Sequence, residues 1–564
     1  MTEQLIGLVT TTAAGRTAAA RLEAALPQTQ TQTRRYDVRE LSTAFAECDG
    51  LVCFLATGAT VRLLAPLLQD KATDPGVVVV DEAQRFAVAL LGGHGARLRG
   101  GANALAGTVA DALGATAVVT TATDATGLPG LDTLGWPVEG AVAAVSRAML
   151  DGDLVRLDAD EVWPLPPLPV GNDGEHVLRV TDRVVALDGR SAVLRPPSLV
   201  LGVGASRGVP ADEVLQLVDR ALADAGLSQA SVAQVATVDA KADEVGIVEA
   251  CARRGWPLTA FPAARLAGVP VPNPSDEPLK VLGTPSVAEA AALLAAPGGA
   301  LVVEKTKSAR ATVAVVRRRP RGRLALVGLG PGARDLLTPR AKEELRRAGV
   351  WVGLDQYVDQ VSDLARPGTR MLITGLGKEE ERAQSAVLEA QAGHAVALIG
   401  SGDAGVYAMA SPALELAGAD IDVVGVPGVT AALAASSLLG APLGHDHASV
   451  SLSDLHTPWP AIEARIRAVA EGDLVVTFYN PRSRGRDWQL PKAVSMLLEH
   501  RPASTPVGIV TDASRPSESV VLTTLGGLDC AAVTMYACVV VGSSQSAVVA
   551  GRMVTPRGYR WSGP

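Results

Sequence analysis

Five segments in the second half of the chain carry residue types from which a small-molecule site is built. The first, Leu324-Ala-Leu-Val-Gly-Leu-Gly-Pro-Gly-Ala-Arg-Asp-Leu-Leu-Thr338, reads as a strand, a glycine-rich turn and a helix start. Thr338 supplies an N-cap and Pro339 a first helical residue. The spacing Gly328-x-Gly330-x-Gly332 suits a nucleotide, yet a tight structural turn explains it equally well. Its third glycine comes one residue too early for the dinucleotide fingerprint, and no P-loop lysine follows, so a nicotinamide-dependent oxidoreductase rests on fold analogy alone. Four further segments follow at orderly spacing: Ile399-Gly-Ser-Gly-Asp-Ala-Gly-Val-Tyr407, Val424-Gly-Val-Pro-Gly-Val-Thr-Ala431, Thr477-Phe-Tyr-Asn-Pro-Arg-Ser483 and Gly508-Ile-Val-Thr-Asp-Ala-Ser-Arg515. Each is placed at the end of an apolar run that reads as a strand.

The elements that must position these loops are α/β throughout. In the first 135 residues, strand candidates Leu5–Val9, Gly50–Ala56, Val77–Asp81 and Ala117–Thr120 alternate with helical patterns near Arg16–Leu26, Thr60–Leu68 and Gly101–Leu113. Such alternation implies a parallel sheet. The region 139–197 is acidic and then proline-rich, with a hairpin expected around Val184–Leu194. A new α/β unit spans 198–316, a basic run at 317–323 reads as a solvated linker, and a third pattern fills 324–554. The fold class expected is therefore multidomain α/β, parallel-sheet units preceding a further α/β half.

Composition agrees. Of 564 residues, 48% are apolar, 20% charged and only 3% aromatic, which makes globular layers of Val and Leu strands under Ala-rich helices. A net charge of -8 gives no attraction to nucleic acid. No basic n-region and no unbroken apolar span implies secretion or a membrane helix. The five cysteines form no Cys-x-x-Cys pair, as expected of buried thiols in a reducing cytoplasm, with no metal site.

The four later loops, at strand ends and in this order, resemble the class III tetrapyrrole methyltransferases. The run Leu443-Gly-His-Asp-His-Ala-Ser-Val-Ser-Leu-Ser-Asp-Leu-His-Thr-Pro-Trp459 is similar to the precorrin-3B C-17-methyltransferase branch. So is Gly402-Asp403-Ala404, where the wider family has Gly-Asp-Pro. The resemblance implies two α/β domains, near 324–443 and 444–554, enclosing S-adenosyl-L-methionine, a tetrapyrrole substrate and a homodimer. It implies that Pro331, Ser401, Gly402, Asp403, Val406, Thr430, Ala431, Asn480 and Ala513 neighbour the cofactor. Asp403 either binds a ribose or amino group or caps its own turn. A polycarboxylate substrate calls for cationic and polar donors, for which Arg334, His447, His456, Arg482 and Arg484 are candidates. Ring contraction needs proton transfers, for which His445 and Asp446 are the candidates, a surface role for each histidine remaining open.

The first half resembles the cobalt-precorrin-5A hydrolases, through residues 49–82, Leu90-Leu-Gly-Gly-His94, Gly100-Gly-Ala-Asn103 and Thr120-Thr-Ala-Thr-Asp124. Gly202-Val-Gly-Ala-Ser-Arg-Gly208, Val238-Asp-Ala-Lys-Ala-Asp-Glu-Val-Gly246 and Val303-Glu-Lys-Thr-Lys-Ser308 extend it. That family opens a lactone on a contracted, cobalt-containing ring and releases acetaldehyde, which needs an activated water and oxyanion donors. The resemblance offers His94 as base, with Asp124 or Asp74 as alternatives, and Arg62 and Lys71 as partners of substrate carboxylates. The backbone N–H groups at Thr57-Gly58 and Gly100-Gly101 are candidate oxyanion donors. Asp70, Asp74 and Asp124 read equally as turn residues. Gly95-Ala-Arg-Leu-Arg99 lengthens the family's usual connection, and Gly92 replaces a usual Ser. This half is therefore either an active hydrolase or an inactive tetrapyrrole-binding scaffold.

Overall fold

The computed structural model describes residues 4–26, 31–70, 73–93, 97–98, 101–120, 128–483 and 485–559. The chain divides into two compact units, residues 1–163 with 168–320, and residues 164–167 with 321–564.

Among the described residues, the first unit contains three sheets. In the first, the strands run in the order Thr31–Asp37, Gln4–Thr10, Gly50–Phe54, Gly76–Val80, Phe86–Leu91, Thr116–Val118, and only Gly76–Val80 and Phe86–Leu91 pair antiparallel. Helices Ala13–Ala25 and Gly101–Leu113 bury Ala18, Leu22, Ala106 and Val109 against Leu8, Val52 and Val78. The region 139–197 is a folded layer rather than a connection. Helix Val142–Asp151 accompanies a sheet in which His176–Val180 and Ser191–Leu194 pair parallel, so the expected hairpin is absent. A parallel pair needs a crossover and cannot be closed by a tight turn.

In the third sheet, Leu258–Phe261, Val232–Val238 and Leu199–Ala205 are parallel, and Ala311–Arg317 and Ala300–Lys307 complete it antiparallel to their neighbours. At its carboxyl edge, Glu244 accepts from the Gly208 amide (2.6 Å) and Lys241 (3.3 Å), and Glu213 accepts from the Ser308 hydroxyl (2.6 Å) and the Arg310 amide (2.7 Å). The Ser308 and Arg310 bonds hold the Glu213 pKa below the ordinary carboxylate range. A carboxyl depressed in the folded state contributes stability above its unfolded pKa and loses it as pH falls through the folded value. Thermal unfolding should therefore shift downward below about pH 4. Glu213→Gln should flatten that part of the profile; an unchanged profile would contradict the role.

The basic run is not wholly a linker. Arg317 lies in a strand and pairs bidentately with buried Asp182, and Arg323 opens the next strand and pairs with Glu344.

The second unit opens with a wholly parallel sheet of β1 (Arg323–Gly328), β2 (Val350–Leu354), β3 (Arg370–Thr374), β4 (Ala395–Gly400) and β5 (Asp422–Val426), in the order β3-β2-β4-β1-β5. Side chains alternate across it. Leu324 and Leu326 meet α2 (Glu379–Gln391) and α3 (Ala410–Leu416), whereas Ala325 and Val327 meet α1 (Pro339–Arg347) on the other face. The adjacent strands β1 and β4 thus feed helices on opposite faces, and the crevice between two such strand ends is where ligands sit in open α/β sheets. Beyond α4 (Ala431–Leu439) a second sheet holds β6 (His447–Ser451), β7 (Val475–Tyr479), β8 (Pro506–Thr511), β9 (Ser519–Thr524) and β10 (Ala537–Val541), in the order β6-β7-β10-β8-β9. Its faces are covered by α4, α5 (Trp459–Glu471) and α6 (Gln489–Leu498). Strands β6, β7 and β8 share one direction, so their carboxyl ends lie at one edge. Among the described residues, no helix is long and apolar enough to cross a membrane.

Candidate functional site at the carboxyl ends of two sheets

Three turns leave β1, β4 and β5 side by side. Gly330 and Gly402, both with positive φ, exchange reciprocal backbone hydrogen bonds of 3.0 and 2.8 Å. Gly428, after β5, packs so closely that a Cβ on it would stand 2.1 Å from the Gly402 carbonyl oxygen. A Cβ on Gly328 would meet the same oxygen at 2.7 Å. These glycines are therefore required first by backbone-to-backbone packing of the turns. Asp403 completes the joint: one carboxylate oxygen accepts from the Gly405 amide (2.8 Å), the other from the Gly428 amide (3.0 Å). That is the turn-capping geometry.

The second sheet brings its carboxyl ends to these turns. The Tyr479 hydroxyl, at the end of β7, shares a 2.6 Å hydrogen bond with Thr430 Oγ1 and accepts from the Ala432 amide at 2.8 Å. It caps α4 in place of the Thr430 side chain, which makes no such bond itself. The Tyr407 ring lies 5.1 Å from that of Tyr479, and its hydroxyl donates to the Ser449 carbonyl (2.8 Å). Burial raises the pKa of both phenols, so both remain protonated donors near neutral pH. Asn480 donates to Ser451 Oγ (3.1 Å). After β8, Ser514 Oγ accepts from the Ala333 amide (3.1 Å), and Arg515 Nε donates to the Pro331 carbonyl (2.9 Å). Of the seven described non-glycine residues with positive φ, four (Tyr407, Asn480, Asp512 and Ser514) lie here, a concentration of backbone strain that marks functional sites.

Of the nine residues expected beside the cofactor, eight thus fall on loops at this edge and Ala431 opens α4 there. Ser401, Asp403, Val406, Thr430, Ala431, Asn480 and Ala513 are half-buried, while Pro331 and Gly402 are buried. Hydroxyl, amide and small apolar groups in this mixture fit a nucleoside joined to an amino acid, which asks for close backbone approach and a few polar donors. Tyr407, Tyr479, Ser514 and Arg515 were not singled out from sequence, although tyrosines are conspicuous in so aromatic-poor a chain.

Other expected residues are dispersed. His445 and Asp446 precede β6, so they stand at the amino end of the sheet whose carboxyl end forms the site. Their side chains are 55% and 82% exposed and lie 3.4 Å apart. They line a separate cavity of about 350 Å³ with Asp473, Ser543, Gln545 and Arg557. His447 Nδ1 lies 3.1 Å from the His445 carbonyl. Because the strand separates the pair from the site, His445→Ala and Asp446→Ala are expected to retain wild-type affinity for S-adenosylhomocysteine. Lost affinity in calorimetry would bring the pair back to the site. His456 is exposed in the loop after β6. Arg334 is drawn to the Gln360 carbonyl and Asp363, and Arg482 donates to the Ala531 carbonyl. Arg484 lies outside the described residues, as do His94, Asp124 and Lys71.

In the first unit, Arg62 donates to its own helix at the Gly58 carbonyl (3.1 Å), and Asp74 accepts from the Gln69 amide (3.1 Å) as a turn residue. Helix Gly101–Leu113 offers no free amides at Ala102 and Asn103, which donate to the Gly92 and Gly93 carbonyls. Of the expected oxyanion donors Gly100-Gly101, Gly100 lies outside the described residues and the Gly101 amide donates to the Leu98 carbonyl (2.9 Å), so the role is not open to it.

Residues 323–529 match the family model of the tetrapyrrole (corrin/porphyrin) methylases. Residues 39–124 match the cobalamin synthesis G N-terminal model, and residues 199–316 its C-terminus model. A protein of Salmonella typhimurium named "Probable cobalt-factor III C(17)-methyltransferase" is 49% identical over 240 residues, covering 42% of this chain and 99% of that protein. A precorrin-3B C(17)-methyltransferase of Sinorhizobium is 38% identical over 234 residues, 40% of this chain and 91% of that protein. The solved methyltransferase CobJ is 34% identical, covering 42% of this chain and 100% of that one, with a TM-score of 0.40. The chain spans about half the length of other relatives, such as 46% of a cobalt-factor III methyltransferase from Priestia megaterium. A 49% identity over nearly the whole of a relative, joined to the two N-terminal matches, decides the assignment: the chain belongs to the tetrapyrrole (corrin/porphyrin) methylases, which use S-adenosylmethionine, and carries cobalamin synthesis G domains ahead of the methylase as an enzyme of cobalamin biosynthesis.

Proposed function

We propose that the second unit methylates C-17 of precorrin-3B or its cobalt-containing counterpart with ring contraction. The first unit hydrolyses the lactone of cobalt-precorrin-5A and releases acetaldehyde. The observation that carries the first half of this reading is the 49% identity over 99% of a C(17)-methyltransferase-named relative. The cofactor site is the edge where the turns after β1, β4 and β5 meet those after β7 and β8. Bound there, S-adenosylmethionine supplies an electrophilic methyl group. The chain supplies position: the interlocked glycine turns and Asp403 fix one wall, and Tyr407, Tyr479 and Asn480 fix the other. In-line transfer depends on holding the two reactants in register, so rigidity of these loops is what the protein contributes. His456, Arg482 and Arg484 are the candidates for substrate carboxylates, and Arg334 becomes one if it leaves Asp363. The enzyme works in the cytoplasm as a homodimer formed through the methylase unit.

Incubation of the full chain with isotopically labelled S-adenosylmethionine and precorrin-3B or cobalt-factor III should give a product carrying one added methyl group. A labelled tetrapyrrole methylated elsewhere, or none, would reject the C-17 assignment. A second reading keeps the methyltransferase and makes the first unit an inactive tetrapyrrole-binding scaffold. It is favoured by the engagement of the Gly101 amide, one of the expected oxyanion donors, with the Leu98 carbonyl. Acetaldehyde release from cobalt-precorrin-5A by the full chain would decide for the hydrolase; tetrapyrrole binding without release would decide for the scaffold.

A further inference from the structure

We propose that Arg515 is a positioning residue that clasps the two walls of the cofactor site. The inference rests on the reading of that edge as the S-adenosylmethionine site. Arg515 comes from the loop after β8, in the second subdomain, and while its Nη1 lies 3.9 Å from Asp512 of the same loop, its hydrogen bonds go to the first. Nε donates to the Pro331 carbonyl in the turn after β1 (2.9 Å), and Nη2 reaches Ser401 Oγ in the turn after β4 (3.4 Å). Ser514 adds a third tie through the Ala333 amide. One loop therefore fixes both turns, which lie on adjacent strands and carry residues assigned to the cofactor.

Two features show that the arrangement is built rather than incidental. Gly332 has φ +151°, and a Cβ there would stand 2.6 Å from Arg515 Cγ, so the side chain lies over a position that glycine leaves open. The loop that presents it is held in a costly conformation. Asp512 and Ser514 have φ of 49° and 61°. Glu518 accepts from the Ser514 amide (2.6 Å), Ser517 donates to Asp512 (2.9 Å), and the Asp512 amide donates to the Tyr536 carbonyl (3.2 Å). Such strain persists only where its surroundings over-determine it. A planar guanidinium can serve two acceptors at fixed angles, and a lysine ammonium cannot reproduce that fork.

The test is calorimetric titration of S-adenosylhomocysteine into the full chain and its Arg515→Ala, Arg515→Lys and Gly332→Ala variants, with thermal unfolding as the control for folding. Arg515→Ala should weaken binding about 10-fold or more, the scale of losing charge-assisted hydrogen bonds, with the unfolding midpoint little changed. Arg515→Lys, which keeps a donor for Pro331, should recover part of the loss. Gly332→Ala should repeat the loss by displacing the guanidinium. Wild-type affinity in Arg515→Ala, with the wild type itself binding, overturns the clasp and leaves the cofactor site standing. So does a loss of affinity matched by an equal fall in thermal stability that lysine does not rescue. No binding by the wild type removes the cofactor reading first, and the clasp with it.

Discussion

Gly428→Ala is expected to abolish measurable S-adenosylhomocysteine binding while leaving the rest of the chain folded. The added methyl group would lie 2.1 Å from the Gly402 carbonyl oxygen and 2.8 Å from Gly328 backbone atoms. None of these atoms can rotate away, because Gly402 is tied to Gly330 by two reciprocal backbone bonds. The turns must separate, and the Gly428 amide then leaves Asp403. Overpacking of this kind costs about 1–3 kcal/mol. The same displacement moves Ser401 and Thr430, so binding should fall by about 100-fold or more, equivalent to roughly 2.7 kcal/mol. Affinity within about threefold of wild type would show that the interlocked turns do not shape the site.

Removing Arg501 should produce the largest loss of stability. Its side chain is 0% exposed, and its guanidinium donates to the carbonyls of Gly542 (2.6 Å), Leu474 (2.6 Å) and Val469 (3.0 Å). Those carbonyls lie just after β10, just before β7 and near the end of α5, so one side chain pins three elements at the amino end of β7. Burial pushes the Arg501 pKa down from its ordinary value, yet it stays charged, with Asp473 3.8 Å away. Arg501→Met takes the guanidinium from three carbonyls, of which Val469 keeps the Leu474 amide (3.1 Å), and is expected to cost about 3–5 kcal/mol, as for other broken buried charge networks. Urea unfolding followed by circular dichroism would register it as an earlier transition. A change below about 1 kcal/mol would mean that water replaces the guanidinium.

The parts of this fold that could be read from sequence are those with a single local signature. Helix Gly101–Leu113 repeats apolar residues at helical spacing and starts at a glycine, and its bounds were legible to the residue. The strand-end loops were legible because Gly and Pro punctuate apolar runs at Gly328, Gly400 and Pro427. Strand Thr31–Asp37 was not: its sequence is polar, and it gains its place only by pairing at the edge of the sheet with Gln4–Thr10. Strand β6 misled for a related reason. His447-Ala-Ser-Val-Ser451 has little apolar character, so nothing local tells which end of it His445 and Asp446 occupy. Tertiary partners were least legible, since Arg515 and Pro331 stand 184 residues apart. Asp403 was legible as important, but its two amide partners, only one of them nearby in sequence, decide how its carboxylate is used.

Isothermal titration of S-adenosylhomocysteine into the full chain and into an Asp403→Ala variant tests the central claim most directly. One site per chain in the wild type, with affinity lowered about 10-fold or more when Asp403 no longer ties Gly405 to Gly428, is the expected result. A folded wild-type chain that binds no S-adenosylhomocysteine would contradict the placement of the cofactor at this edge.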